Sequence, residues 1–190
     1  MSAMNPKLIG AWSLALICAL ATAWPQELKL KRGTVCWPLH FSGITLGLTN
    51  DSQVQRLLGK GVARKNEGDT GGRYFIDDRH TATLHVVSYT DLVVGEVTVR
   101  MGIDPALSAG ELKQAESKWF KADEGFGNWH ALHLGSTKDE VLKNLGEPKK
   151  RVTGNDWMYE TICECELPEY FDVFFKNGQL VKVVFSAPAG

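Results

Sequence analysis

GSTKDEVLKNLGEP, residues 135–148, carries the signals of one complete short helix. Thr137 is placed to cap its start. Glu140, three residues on, completes a capping box, in which the hydroxyl and the carboxylate each accept from a backbone N–H left free in the first turn. Val141, Leu142 and Leu145 recur on one face. Gly146 can take the left-handed conformation just past the end, and Pro148 stops any continuation. An echo stands at residues 47–61, GLTNDSQVQRLLGKG, with Gly47, Thr49 as cap, Val54, Leu57 and Leu58 as the apolar set, then Gly59. It has one extra residue between its glycines. Matching lead-ins precede both stretches, GITLG at 43–47 and ALHLG at 131–135, and strand-like segments follow both. Order and flanks agree as well as pattern, so a duplicated unit is expected.

Working outward, residues 60–72 (KGVARKNEGDTGG) have the composition of a charged, glycine-rich loop. Strand candidates follow at 73–76, 82–87 and 92–99, the last two joined as a hairpin and rich in β-branched residues. Residues 111–119 predict a helix with Leu112, Ala115, Trp119 and Phe120 on its apolar side. Asp104-Pro105 offers an earlier cap followed by proline. After the second helix, 157–160 predicts a strand, and 170–175 and 180–185 flank Asn177-Gly178, the strongest hairpin signal in the chain. The expected fold is α+β: two tandem repeats, each of short helices packed on a small antiparallel β-sheet. Whether the two sheets join is open. The units divide as 24–103, which includes an N-terminal segment, and 104–190.

Residues 1–23 have the form of a signal peptide: Lys7, an apolar run over 8–20, and Ala21-Thr22-Ala23 as an A-x-A cleavage site. That run is shorter than the roughly 20 residues of a membrane span, and no second one follows, so the mature chain is expected to have no transmembrane span. Ile17 before Cys18 departs from a lipobox and argues against a lipid anchor. Removing residues 1–23 removes only Lys7 among the charges and takes the formal net charge from −1 to −2. Near-neutrality gives no support for nucleic-acid binding. The mature protein is therefore expected in the periplasm or secreted. Cys36, Cys163 and Cys165 remain, in an oxidising compartment where cysteines pair; one bridge from Cys36 to Cys163 or Cys165 leaves one thiol over.

Chemical motifs are sparse. Asp69-Thr70-Gly71 spells the aspartic-protease tripeptide, but no second copy supplies the paired carboxylate. His130 and His133 lack a third zinc ligand, and no HExxH stands in the chain. Cys163-x-Cys165 lacks the C-x-x-C spacing of redox motifs. Asp77-Asp78-Arg79-His80 has the composition of a solvated turn. Asn50-Asp51-Ser52 matches a glycosylation sequon at the first helix start. There is no G-x-S-x-G, P-loop or dinucleotide fingerprint, so neither catalytic nor cofactor-binding residues are assigned. Aromatics crowd the second half. Alternation along 170–175 cannot bury every ring on one face, so Trp129, Tyr170, Phe171 and Phe174 are candidates for a partner surface.

The pattern G-x-T-x-x-E-V-x-x-x-L-G-x-P at 135–148, with Trp157-x-Tyr159 and the hairpin FDVFFKNGQLVKVVFS, resembles the SmpA/OmlA repeat of bacterial outer-membrane-assembly lipoproteins. It is also similar to the tandem unit of the β-lactamase inhibitory protein. The resemblance is clear over 127–186 and fainter over 41–101. It implies helices packed on a small antiparallel sheet, a bacterial envelope location and, with two units, a concave surface that binds another protein. The inhibitor's contact loops have no match here, and none of its residues is carried over. The expectation is an exported, non-enzymatic binding module for an envelope or secreted protein. Its rivals are a small exported redox or metal-binding protein using Cys36, Cys163 and Cys165, and, by fold analogy, a secreted enzyme inhibitor.

Overall fold

The computed structural model describes residues 40–65, 71–89, 93–122, 132–161 and 169–187. The expectations for the signal peptide, Cys36, Cys163, Cys165, Trp129 and His130 lie outside these residues.

A small hairpin of β1 (His40–Phe41) and β2 (Ile44–Thr45) leads into helix α1 (Asp51–Leu58). Strands β3 (Val62–Lys65), β4 (Gly71–Ile76), β5 (Ala82–Ser88) and β6 (Val94–Met101) follow. A single 3-10 turn at Ala109–Glu111 runs into α2 (Leu112–Ala115). Helix α3 (Lys138–Leu145) then precedes β7 (Lys150–Thr153), β8 (Asp156–Thr161), β9 (Glu169–Lys176) and β10 (Gln179–Ser186).

The mixed α+β class holds, with one antiparallel sheet of eight strands in the order β3-β4-β5-β6-β10-β9-β8-β7. The join is β6 against β10, with Val99 opposite Val183 and Val97 opposite Phe185. Strand β3, in the stretch read from the sequence as loop, and β7, to which the sequence assigned no element, are its two edges. Both are short and rich in Lys and Arg, and β7 is irregular between Arg151 and Thr153.

Two continuous rows of side chains cross the sheet on one face and form its main core. Phe75, Leu84, Val99, Val183, Val173 and Trp157 are successive cross-strand neighbours, as are Val86, Val97, Phe185, Phe171 and Tyr159. All are buried and packed with Val54 and Leu58 of α1 and Val141 and Leu145 of α3. Tyr159 and Phe171 stack at 4.9 Å, and the Tyr159 hydroxyl donates to the Gly146 carbonyl at 3.1 Å.

Each helix start is tethered to the innermost strand of its own half. Gly47 N–H donates to Val94 O at 2.8 Å and Val94 N–H to Thr49 O at 2.7 Å. In the second half Gly135 N–H donates to Leu180 O and Leu180 N–H to Ser136 O, both at 2.8 Å. Thr49 and Ser136 are buried, and each hydroxyl accepts a nearby backbone N–H, of Thr45 at 2.8 Å and His133 at 3.1 Å. Thr49 is thus the counterpart of Ser136, and the N-cap of α1 is Asn50, boxed with Gln53, as Thr137 is with Glu140. The extra residue lies before the cap, not inside the helix.

Helix 111–119 is shorter than expected. It ends at Ala115, because Glu116 bridges to Ile76 in parallel and Ser117 N–H donates to Ile76 O at 2.9 Å. Trp119, assigned to its apolar side, is 60% exposed, while Phe120 is buried near Phe41. Asp104 starts no helix; its carboxylate accepts from Ala106 N–H in a turn, and the capping box belongs to Ser108 and Glu111. Leu107 and Ala115 pack on Val62 and Ile76 in a second core cluster, and Arg64 pairs with Glu111 at 2.7 Å. The contacts of 104–117 are therefore with strands of the first half, although the sequence boundary assigns them to the second unit.

Candidate functional site: the open face of the sheet

Strand alternation sends every second residue to the face opposite α1 and α3. One row on that face runs Tyr74, His85, Thr98, Val184, Asp172, Met158; the next runs Thr83, Arg100, Lys182, Phe174, Asp156. The α2 segment packs at the β3–β4 end of it, on Val62 and Ile76. Over β10, β9 and β8 the side chains of Val184, Lys182, Tyr170, Asp172, Phe174, Asp156 and Met158 are half-buried. Tyr170, Phe174, Met158 and Val184 belong to neither core cluster.

Tyr170 and Phe174 therefore stand on this face as the alternation predicts. Phe171 does not: it is fully buried between Phe185 and Tyr159 and is withdrawn from the candidate partner surface. Trp129, the fourth candidate, lies outside the described residues, as do all three disulfide candidates.

The face carries charge and aromatic rings in direct contact. The Lys182 ammonium lies 3.7 Å over the Phe174 ring, and Lys149, paired with Glu160, lies 6.0 Å from Tyr170. Asp172 has its pKa raised, first by burial and then by the Asp156 carboxylate, while Lys182 pulls it back. At the other end His85 stacks on Tyr74 with centroids 4.0 Å apart. Burial lowers its pKa against the pull of Asp104, and its Nε2 is buried without a hydrogen-bond partner. Burial, with Asp104 nearby, raises the pKa of the Tyr74 phenol.

Asp69 and Thr70 of the protease-like tripeptide lie outside the described residues. Other motifs resolve into structure. Asp77 is buried in its turn and accepts from Thr81 N–H, Thr81 Oγ1 and Ala82 N–H at 2.6–2.9 Å. Asp78 pairs with Lys121 and His80 meets Glu116, so the turn fastens the β4–β5 corner to the segment after α2. Asn50 of the sequon spends its Oδ1 on Gln53 N–H and Ser52 Oγ. His133 is exposed beside Leu134 O. Among the described residues no group of three or more His, Cys, Asp or Glu could hold a metal ion. No helix among them is long and apolar enough to cross a membrane.

No protein-family model matches the chain, and no curated protein is significantly similar to it. Among solved structures it is similar to a DUF4309 family protein (YjgB) from Bacillus subtilis, with TM-score 0.45 and 12% identity over 77% of this chain and 83% of that one. It is also similar to an extracellular protein containing a SCP domain from Bacillus anthracis, with TM-score 0.43 and 8% identity over 85% of this chain. The match takes in 48% of that protein, so this chain spans about half its length. Neither is described as an assembly lipoprotein or a β-lactamase inhibitor.

Proposed function

We propose that this protein is an exported, non-enzymatic binding module that docks another protein of the bacterial envelope or its surroundings on the open face of its sheet. The observation that carries this is the half-buried set Tyr170, Phe174, Met158 and Val184, interleaved with charges and packed into neither core. Interface cores favour Tyr, Phe, Met and Arg, and a buried core has no use for a face of this composition. The signal-peptide form of residues 1–23 supports export.

The architecture behind that face is two tandem units. Each half runs from a boxed helix into four strands, and Asn50 stands as far from Gly59 as Thr137 from Gly146. The paired backbone tethers at Val94 and Leu180 support the same reading, as does the sequence resemblance to the SmpA/OmlA repeat. Joining the units through β6 and β10 gives a docking face wider than either unit supplies alone.

The test is a crosslinked pull-down from the native organism's envelope and culture fractions with residues 24–190 as bait. A single stoichiometric partner is expected, lost on Phe174→Ala or Tyr170→Ala while the circular dichroism of the variants stays native. Turnover of a substrate by the purified protein, abolished by one substitution on this face, overturns the proposal. So does partner capture that both variants leave unchanged.

A further inference from the structure

The charges of the open face are sorted, and the sorting is unfavourable inside the chain. Lys182 and Arg100 stand directly opposite each other on the central strand pair. Like charges placed so are destabilising, whereas an opposite charge there would stabilise the pairing. Arg100 gives one Nη1–H to Asp104 at 2.9 Å. Lys182 makes no hydrogen bond or ion pair among the described residues and rests on the Phe174 ring. Next to Phe174, on its other side, stands Asp156, diagonal to Asp172 on the neighbouring strand. Two carboxylates thus share the β8–β9 side; burial and then Asp156 raise the pKa of Asp172, and Lys182 pulls it back. The sequence along this row is cation, cation, aromatic, acid, with the centres of the two charged pairs about 10 Å apart at two strand spacings. The other charges on this face beside the row are Glu96, two rows up β6 from Arg100, Lys176, next along β9 from Phe174, Glu160, on β8 beyond Met158 and paired with Lys149, and Lys150, across β8 from Asp172. None is ion-paired with the four sorted groups among the described residues.

We propose that this sorted row is the recognition element of the open face. Its occupant is a segment of a partner protein that sets a carboxylate over Arg100 and Lys182, an apolar side chain on Phe174 and a basic side chain over Asp156 and Asp172. The inference rests on the docking function proposed above and names the chemistry of the partner. Such an occupant relieves both like-charge pairs at once. It is also selected against partners of the opposite polarity, because juxtaposed like charges exclude wrong partners more strongly than matched ones attract. Phe174 at the centre of the row, already holding a cation on its face, supplies the ring on which a partner's apolar group packs.

Two synthetic peptides test this against the full mature chain by NMR titration: Ac-Glu-Glu-Leu-Lys-Lys-NH2, whose charges are sorted, and Ac-Glu-Lys-Leu-Glu-Lys-NH2, of the same composition, whose charges alternate. The sorted peptide is expected to shift the amides of Arg100, Lys182, Phe174 and Asp156 saturably, at least about tenfold more tightly than the alternating one. The R100E/K182E variant is expected to lose that preference while keeping the native spectrum elsewhere. Equal affinity of the two peptides overturns the proposal, as does mapping of both to the basic edge at Lys149, Lys150 and Arg151. If partner capture depends on Phe174 but the peptides do not discriminate, the docking face stands and the charge rule falls. If capture is indifferent to Phe174, the docking function beneath it falls as well.

Discussion

At Gly61 the backbone takes φ +57°, and an added Cβ would lie 2.6 Å from the Phe75 ring and 2.8 Å from the Tyr74 carbonyl oxygen. Gly61→Ala is expected to cost about 2–4 kcal/mol, the sum of left-handed strain and a forced shift of a core ring, read as a lower urea midpoint at unchanged slope. Gly135, at φ +95° with open space around it, should lose only the strain, about 1–2 kcal/mol. Asp51 gives a pH signature. The Arg73 guanidinium holds its pKa below the ordinary carboxylate value, with Gln55 adding to the effect and burial opposing it. Because the folded pKa is depressed, this stabilisation is present above the ordinary value and is lost as pH falls through the lowered one. Arg73→Leu should flatten that acid limb in urea midpoints followed from about pH 6 to about pH 2. Its cost near neutrality should be about 0.5–1.5 kcal/mol, since the pair is only partly shielded from solvent. At this scale the sequence was legible where a residue's role is local, as for the Thr137 box and Gly146. It misled at Thr49, where a side chain suited to capping is spent on a loop bond and the neighbouring Asn50 caps instead. It could not rank Tyr170 and Phe174 above Phe171 until the register showed which ring faces the core.

The helices and strands that the sequence revealed are those whose own residues pay for their order. Asn50→Ala and Thr137→Ala should each cost about 1 kcal/mol, and the glycine variants only a few tenths, in thermal or urea unfolding. Equal costs at the two sites are expected because both caps make the same bond to the third helical residue. Asn177 and Gly178 take φ 54° and 79°, as a two-residue hairpin turn requires, so the Asn-Gly signal located β9 and β10 correctly. Strands β3 and β7 were illegible for a physical reason. VARK and KRVT bury little and bond on one side only, so they carry neither alternation nor an apolar run, and their charge is what keeps a free edge from pairing further. Helix α2 was overestimated because periodicity cannot foresee that Glu116 and Ser117 leave the helix to bond β4.

Across the whole molecule, the two core rows run without interruption to β8, one from β4 and one from β5, through the β6–β10 seam. A single cooperative transition is therefore expected, with far-UV circular dichroism and tryptophan fluorescence falling together; two separate transitions would mean that each half holds its own core. Phe185→Ala, at the seam and buried against Phe41 and Phe171, should lower stability by about 3–5 kcal/mol and keep the transition single. One continuous sheet was not legible in the sequence, because each half reads as a complete local meander and nothing local marks β6 and β10 as neighbours. The seam also sets the order of events during synthesis. Each meander closes through nearby residues, but β6 must wait for β10, the last strand in chain order. Until that strand has left the ribosome, the nascent first half presents an unpaired, valine-rich edge, with a chain of some eighty residues still to be made between Val99 and Val183. The finished protein has blunt edges, but its half-made precursor has a sticky one, and a chaperone that holds the chain open need shield only β6.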